Sequence, residues 1–264
     1  MLNIDEVRPP SPMSLQVATR VVNRNRVADR VARQIAQSIF ESQLPEGTRL
    51  PPELELCATM GCSRTGLRSA LRLLESWGLV VIQAGRNGGP VVRYPGVADL
   101  NDTMSVLFYA ERATLADILV TRRAIDPIIA AAAATNATAE HLERLDAILE
   151  CIKVSALTQR DFLLATVEYH AALAEASRLV ILGLFLRTLT SFGEGSVLQR
   201  LPFDDDYAQR VITALTRIRD AMAAHDSERA SAEMLILRHE SERHWQLHGE
   251  SVLNVPLRPF EFGG

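Results

Sequence analysis

Arg64, Thr65, Arg68, Ser69 and Arg72 place three arginines and two hydroxyls within nine residues. At about 100° per residue they fall opposite an apolar stripe made by Leu67, Ala70, Leu71 and Leu74. Ser63 stands directly before them, where its oxygen can accept from a free amide of the first helical turn. The segment therefore reads as a short helix with a buried back, and its outer face meets no acid until Glu75. Guanidinium forks bind guanine edges and phosphates, and small hydroxyls reach phosphates or bases, so this face suits a DNA major groove. An ordinary amphipathic helix with a solvated face has the same pattern, and the neighbouring elements decide between the two.

Catalytic chemistry finds much less to work with. No Ser/His/Asp order, paired acid cluster or phosphate loop occurs, and His170 with Asp126 is the one candidate acid/base pair. Asp126 follows Arg122 by four residues, the spacing of a helical ion pair, which favours a structural role. An all-α enzyme carrying a DNA-binding domain is thus a rival without supporting residues. Cys57, Cys62 and Cys151 have neither metal nor disulfide spacing; they read as packing residues, with a redox switch as the alternative, and fit a reduced cytoplasm.

The elements around the arginine helix follow from breakers and periodicity. A helix from Arg24 to about Glu41 carries Val27, Val31, Ile35 and Ile39 as its inner stripe. Leu44 to Pro52, rich in Pro and Gly, breaks it. Glu53 to Met60 forms a second short helix closed by Gly61 as a left-handed cap. After the arginine helix, Gly78 to Gln83 and Pro90 to Arg93 read as strands joined by the glycine turn Ala84–Gly89. Helix, helix, recognition helix and hairpin make a winged helix-turn-helix.

The charge agrees with that division. The chain of 264 residues has a net charge of −4, yet residues 1–96 hold 12 arginines against 8 acids, and the remainder holds 16 Lys/Arg against 24 acids. A basic first part and an acidic second part point to a polyanionic partner for the first alone. Only Lys153 interrupts the use of arginine as the basic residue. No apolar run reaches the ~18 residues of a membrane span, and residues 1–22 show no signal-peptide core and read as a disordered tail.

The first part resembles the DNA-binding domain of the GntR family of bacterial transcription regulators. The residues that carry the resemblance are Pro45-x-Gly47-x-x-Leu50-Pro51-x-Glu53, Ser63-Arg64-Thr65-x-x-Arg68-x-Ala70-Leu71 and Leu74-Glu75-x-x-Gly78-Leu79. The resemblance implies DNA contacts from Ser63, Arg64, Thr65 and Arg68, with Gly85 approaching the minor groove and Arg49 a phosphate. Where the family has an arginine that touches DNA after the glutamate of the second helix, this chain has Leu54, which removes one contact per half-site. Arg86 in the wing is the candidate compensation.

Beyond the linker Tyr94-Pro95-Gly96 every signal is helical: about 98–110, 114–134, 138–156, 159–177, 179–195, 205–224 and 226–248. Such helices form an antiparallel bundle with its own core and room for ligands between facing helices. This half resembles the effector domain of the FadR-type branch of the same family, through Leu115-x-x-Ile118-Leu119-x-x-Arg122-Arg123-Ala124-Ile125-Asp126, Tyr169-His170-x-x-Leu173-x-x-Ala176-Ser177 and Ala221-Met222-x-x-x-Asp226-x-x-x-Ala230-x-x-x-Met234. Many members of that branch hold a divalent metal with one Asp and three His. The matching positions here read Thr166, His170, Leu215 and Leu237, and leucines ligate nothing, so no metal and no other cofactor is expected. His244 and His248, one turn apart, are the alternative pair, and read as a solvated helix end.

The expected fold is mainly α, an N-terminal winged helix-turn-helix followed by an all-α antiparallel bundle of six or seven helices. The expected domains are a disordered tail at 1–22, the DNA-binding domain at 23–96, an effector-binding and dimerisation domain at 97–250 and a loose tail at 251–264. The expected function is a cytoplasmic, homodimeric, ligand-responsive regulator, a repressor, on a near-palindromic double-stranded operator. Arg122, Thr166, Tyr169, His170, Leu215 and Leu237 are the candidate effector residues, in an apolar site suited to fatty-acyl or other lipid-like ligands. A metal-dependent carboxylate sensor and a ligand-blind DNA-binding dimer remain the alternatives.

Overall fold

The computed structural model describes residues 19–85, 88–154, 158–194 and 204–257. Its contacts divide the chain into two compact units, Met1–Pro95 and Gly96–Gly264.

The first unit orders α1 (Thr19–Glu41), α2 (Glu53–Met60), α3 (Arg64–Ser76), β1 (Val80–Gln83) and β2 (Gly89–Val92). The backbone of α1 is helical from Thr19, five residues before the expected start at Arg24, because no Gly or Pro interrupts Thr19 to Asn23. The expected tail 1–22 is corrected accordingly at 19–22, and the rest of it lies outside the described residues. Val27, expected on the inner stripe, is exposed; Ala28, Val31, Ala32, Ile35, Ala36 and Ile39 are buried. A strict four-residue step drifts by about 40° each time, so three steps before Ile39 the stripe has rotated off the core face.

The turn between α2 and α3 is fixed at both ends. Gly61 sits at φ 59° and ψ 37°, the left-handed conformation that a glycine adopts without a Cβ penalty. Ser63 then caps α3, its Oγ accepting from the Gly66 amide at 3.1 Å. Leu67, Ala70, Leu71 and Leu74 are buried against α1, Leu50, Leu56, Leu79 and Val92. β1 and β2 pair antiparallel, with Val80 opposite Val92 and Gln83 opposite Gly89. The Pro- and Gly-rich segment after α1 does more than break a helix. Arg49 bridges Val91, and the amides of Gly47 and Leu50 donate to the carbonyls of Val92 and Pro90, so this segment lines the hairpin's outer edge.

The second unit contains α4 (Val97–Ala110), α5 (Leu115–Asn136), α6 (Ala139–Val154), α7 (Gln159–Ser177), α8 (Val180–Glu194), α9 (Asp205–Ala223) and α10 (Ser227–Leu253). α5 is central, touching α7, α8, α9 and α10. Ile129, Ala133, Leu145, Tyr169, Leu173, Leu186, Leu215, Ile218, Met222, Met234 and Leu237 are buried in one core. Thr114 opens α5 with a reciprocal cap, its Oγ1 accepting from the Asp117 amide while the Asp117 carboxylate accepts from the Thr114 amide. The Thr114 hydroxyl, which also donates to the Asp117 carboxylate at 2.7 Å, and the Thr114 amide together hold the Asp117 carboxyl below the usual carboxylate range.

The end of the chain departs from expectation. Residues 251–257 are not a loose tail: α10 runs to Leu253, and Leu253 and Leu257 are buried beside Leu115, Phe192 and Trp245. The Leu257 amide donates to the Ala113 carbonyl at 2.8 Å, and Pro256 bridges Thr114. Two leucines in an otherwise breaker-rich stretch find an apolar recess at the start of α5, and their burial outweighs the local turn signals. Residues 258–264 lie outside the described residues. Among the described residues no helix is long and apolar enough to cross a membrane.

Candidate nucleic-acid interface and effector site

Because the back of α3 is buried, its front is exposed as a set. Ser63, Arg64, Thr65, Arg68, Ser69 and Arg72 are all exposed. Three of them are partly engaged, Ser63 through its cap on the Gly66 amide. Ser69 donates to the Thr65 carbonyl at 3.1 Å, leaving its oxygen as an acceptor. The Nε of Arg68 lies 3.1 Å from Glu53 Oε2, at the start of α2. An exposed pair of this kind contributes little stability, but it fixes the direction of the guanidinium and leaves its terminal nitrogens for a base or phosphate. Arg64 makes no ion pair among the described residues, so its charge is unneutralised. Arg49, in the segment before α2, is tied to the wing, its Nη2 donating to Gln83 Oε1 at 3.3 Å. Gly85 adopts φ 111°, a conformation open to glycine, and a Cβ on Gly88 would meet the Gln83 carbonyl at 2.3 Å. The tight wing tip therefore requires glycine at both positions. Arg86 lies outside the described residues. Leu54 is 67% exposed, an apolar side chain on the surface next to Glu53. Sequence reasoning missed the roles of Glu53 and Gln83, which hold Arg68 and Arg49, since pairs 15 and 34 residues apart leave no local signal.

In the bundle the candidate residues come together unevenly. The Tyr169 hydroxyl donates to the Leu215 carbonyl at 2.7 Å, and both residues are fully buried, which pushes the phenol far above its ordinary range. Thr166 Oγ1 donates to the Phe162 carbonyl. The Thr166 carbonyl faces His170 Nδ1 at 2.7 Å, and since a carbonyl can only accept, Nδ1 carries the proton. Nε2 of the same ring then accepts from Arg238 Nη2 at 3.3 Å. Arg122 Nε lies 3.1 Å from Asp126 Oδ2, and Arg238 Nη1 lies 3.6 Å from that oxygen. The group is thus two guanidiniums, one carboxylate and a neutral imidazole, all buried.

Arg238 is the residue that sequence reasoning missed. It continues the series Ala230, Met234 by one further step of four, so the buried stripe of α10 passes through it. An arginine in that register is a readable signal of a buried ionic group.

Burial, and the Arg122 and Arg238 guanidiniums beside it, hold the His170 pKa well below the ordinary histidine value. A base whose pKa is depressed by folding costs stability as pH falls. The unfolded chain takes up the proton through pH ~6.5 while the folded chain does not, so the contribution is lost below that point. Wild type should lose about 1 kcal/mol more stability than His170→Gln between pH 7.5 and 5.5, read from urea midpoints at the two pH values. Equal losses in the two proteins would remove this account of the ring.

A metal of the kind held by many members of the branch does not fit these residues. Leu215 and Leu237 supply no donor atom, Nδ1 of His170 is bonded to backbone, and its Nε2 faces a guanidinium. The other histidine pair fares no better as a solvated helix end, because His244 is buried, stacks on Tyr207 at 3.9 Å between ring centroids and lies 3.8 Å from Asp204. The side chain of His248 lies outside the described residues.

Residues 27–88 match the family described as "Bacterial regulatory proteins, gntR family", and residues 117–239 match the FCD domain. The uncharacterized HTH-type transcriptional regulator Rv0494 of Mycobacterium tuberculosis (strain ATCC 25618 / H37Rv) is 32% identical over 223 residues, covering 84% of this chain and 90% of the relative. The Glc operon transcriptional activator of Escherichia coli (strain K12) is 29% identical over 181 residues, 66% of this chain and 70% of its own length. The solved structure of Streptococcus agalactiae GntR superposes with a TM-score of 0.66 at 20% identity, covering 82% of this chain and 99% of that one, and shares the fold. These families and relatives are transcription regulators and not enzymes. The chain belongs to the GntR family of HTH-type transcription regulators, with a gntR-type DNA-binding domain joined to an FCD effector domain.

Proposed function

We propose that this regulator represses transcription as a homodimer on a near-palindromic operator. It releases DNA when a metal-free effector with an anionic head and an apolar body enters the bundle. The DNA-binding half of this reading rests on the exposed face of α3. Two copies related by a two-fold axis present two such faces to half-sites about one helical turn apart. On each face Arg64 and Arg68 read bases, Ser63 and Thr65 reach phosphates or bases, and Arg49, Gly85 and Arg86 serve the wing. Repression follows the commoner logic of the family, and relatives are named both ways, as the Glc operon activator and the transcriptional repressor NanR of Cronobacter sakazakii.

The observation that carries the effector reading is Arg122. It is 3% exposed, its Nε pairs with Asp126, and its Nη2 is buried with no hydrogen-bond partner among the described residues. A buried guanidinium nitrogen without an acceptor is costly, and a carboxylate or carbonyl oxygen from a ligand satisfies it. Tyr169, His170 and Thr166 supply the polar neighbours, while Leu215 and Leu237 favour an aliphatic chain over a metal-held polar acid. The seven helices found among the described residues of the second unit also accord with the subgroup named after the fatty-acid regulator. By linkage, an effector that weakens DNA binding binds the DNA-bound protein more weakly by the same factor.

Native mass spectrometry of the protein purified without added ligand tests this reading. The expected result is a dimer carrying an organic acid of a few hundred daltons, displaced when operator DNA is added. One metal ion per chain in place of an organic adduct would contradict it. A separate expectation concerns Leu54. Restoring the family's arginine with Leu54→Arg should tighten operator binding and steepen its salt dependence by about one unit per half-site. Unchanged affinity and salt slope would place residue 54 away from the DNA.

A further inference from the structure

α2 ends in a Schellman turn. With Gly61 left-handed, its amide donates to the Ala58 carbonyl at 3.4 Å, and the Cys62 amide donates to the Cys57 carbonyl at 3.1 Å. The second bond sets the residue after the glycine against the one five places before it, where an apolar contact commonly forms. Here both residues are cysteines, half-buried against the core of the first unit. Their thiols are in contact, joined by a side-chain hydrogen bond. An apolar pair would serve the packing equally, and nothing in the packing asks for two sulfurs.

A disulfide needs Cα atoms about 4.4–6.8 Å apart and side chains that face each other. Two residues joined directly by a backbone hydrogen bond, with their thiols in contact, meet both conditions. Burial first, and then the charge and hydrogen bond of the Cys57 sulfur, push the Cys62 thiol up. Cys62 therefore keeps its proton while Cys57 reacts first. The place of the pair gives its oxidation a consequence. Cys62 directly precedes Ser63, whose Oγ caps α3, and Arg64 opens that helix. Closing the bond shortens the sulfur–sulfur distance from a non-bonded contact to about 2.05 Å. That draws Cys62 toward α2, and the first turn of α3 moves with it.

We propose that Cys57 and Cys62 form a dithiol–disulfide pair whose oxidation by a peroxide weakens the grip of α3 on DNA. The Cys57 thiolate attacks one oxygen of hydrogen peroxide and the O–O bond breaks. Cys57 becomes a sulfenic acid, and the departing hydroxide takes up a proton as water. The Cys62 sulfur then attacks the Cys57 sulfur, the S–O bond breaks, and the hydroxyl leaves as a second water with the proton from Cys62. Two electrons pass from the two sulfurs to the peroxide, so two thiols and one peroxide give one disulfide and two waters. A dithiol reductant reverses the change by thiol–disulfide exchange, ending as its own disulfide and returning both protons. The pair needs neither the bundle nor an effector, and it adds a second input to the DNA-binding unit. It rests on the reading of α3 as the recognition helix.

The test uses the full chain carrying Cys151→Ser, which removes cross-linking through the exposed cysteine of α6. The reduced protein is treated with hydrogen peroxide, its peptides are mapped by mass spectrometry, and binding to a duplex selected from a random library is read by anisotropy. The expected result is a Cys57–Cys62 linked peptide two hydrogens lighter than its reduced form. Operator binding should fall at least about 10-fold, the loss of roughly one base contact, and dithiothreitol should restore it. Cys57→Ala/Cys62→Ala in the same background should bind like the reduced protein with or without peroxide. No linked peptide, or a linked peptide with unchanged binding, overturns the inference and leaves the recognition helix standing. An equal loss of binding by the double alanine variant overturns it too. If that variant loses helix content by circular dichroism, reversal by dithiothreitol in the parent decides, and a loss that does not reverse overturns the inference. A reduced protein that selects no sequence overturns the reading of α3 itself.

Discussion

Replacing Arg64 and Arg68 together by alanine is expected to abolish operator recognition while leaving the fold intact. Both side chains are exposed on a helix whose stability comes from Leu67, Ala70, Leu71 and Leu74 behind them, so the loss falls on binding. Each arginine that reads a base contributes about 1–3 kcal/mol of specific binding, and a two-fold dimer presents each residue twice. The double variant should therefore bind its operator at least about 100-fold more weakly, approaching its affinity for unrelated DNA. Arg72, one turn further along α3, should cost less and should do so equally on all sequences, as a phosphate contact does. Fluorescence anisotropy with specific and scrambled duplexes at two salt concentrations separates these outcomes. If the Arg64/Arg68 variant kept wild-type affinity, the assignment of α3 as the recognition helix would be wrong.

The second large effect is on stability. Asp126 is fully buried and is the carboxylate shared by Arg122 and Arg238. Asp126→Ala leaves two buried guanidiniums without that partner. Breaking a buried pair from one side costs about 3–5 kcal/mol, because the remaining charge is neither solvated nor compensated. The loss should appear in the unfolding of the helical unit, with the winged unit little affected if the two melt separately. Arg238→Met should cost less than Asp126→Ala, since it removes one cation and leaves Arg122 paired. A stability of Asp126→Ala within about 1 kcal/mol of wild type would show that the ionic group contributes little to holding α5 and α10 together.

Legibility from sequence tracked how local the determining interaction was. The capped turn at Gly61 and Ser63, the apolar back of α3 and the helix limits in the bundle rest on contacts within a few residues, and periodicity and caps expose them. Val27 lies off the buried face because a four-residue repeat is not one straight face: the helix rotates beneath it. The tail was misread for the opposite reason: Leu253 and Leu257 are placed by Leu115 and Phe192, far away in the chain. The effector residues divide in the same way. Arg122 with Asp126 is an i, i+4 pair and was visible, as was the inability of Leu215 and Leu237 to ligate a metal. Arg238 joins that pair from a helix more than a hundred residues later, and it changes the reading of His170 from a candidate ligand to a neutral acceptor beside a guanidinium.

The most direct test of the central claim is selection of bound sequences from a random duplex library by the full chain, run in parallel with Arg64→Ala/Arg68→Ala. The account predicts that wild type enriches an inverted repeat with half-sites about one helical turn apart, and that the variant enriches nothing. Enrichment of the same sequences by both proteins, or of no sequence by wild type, would contradict it.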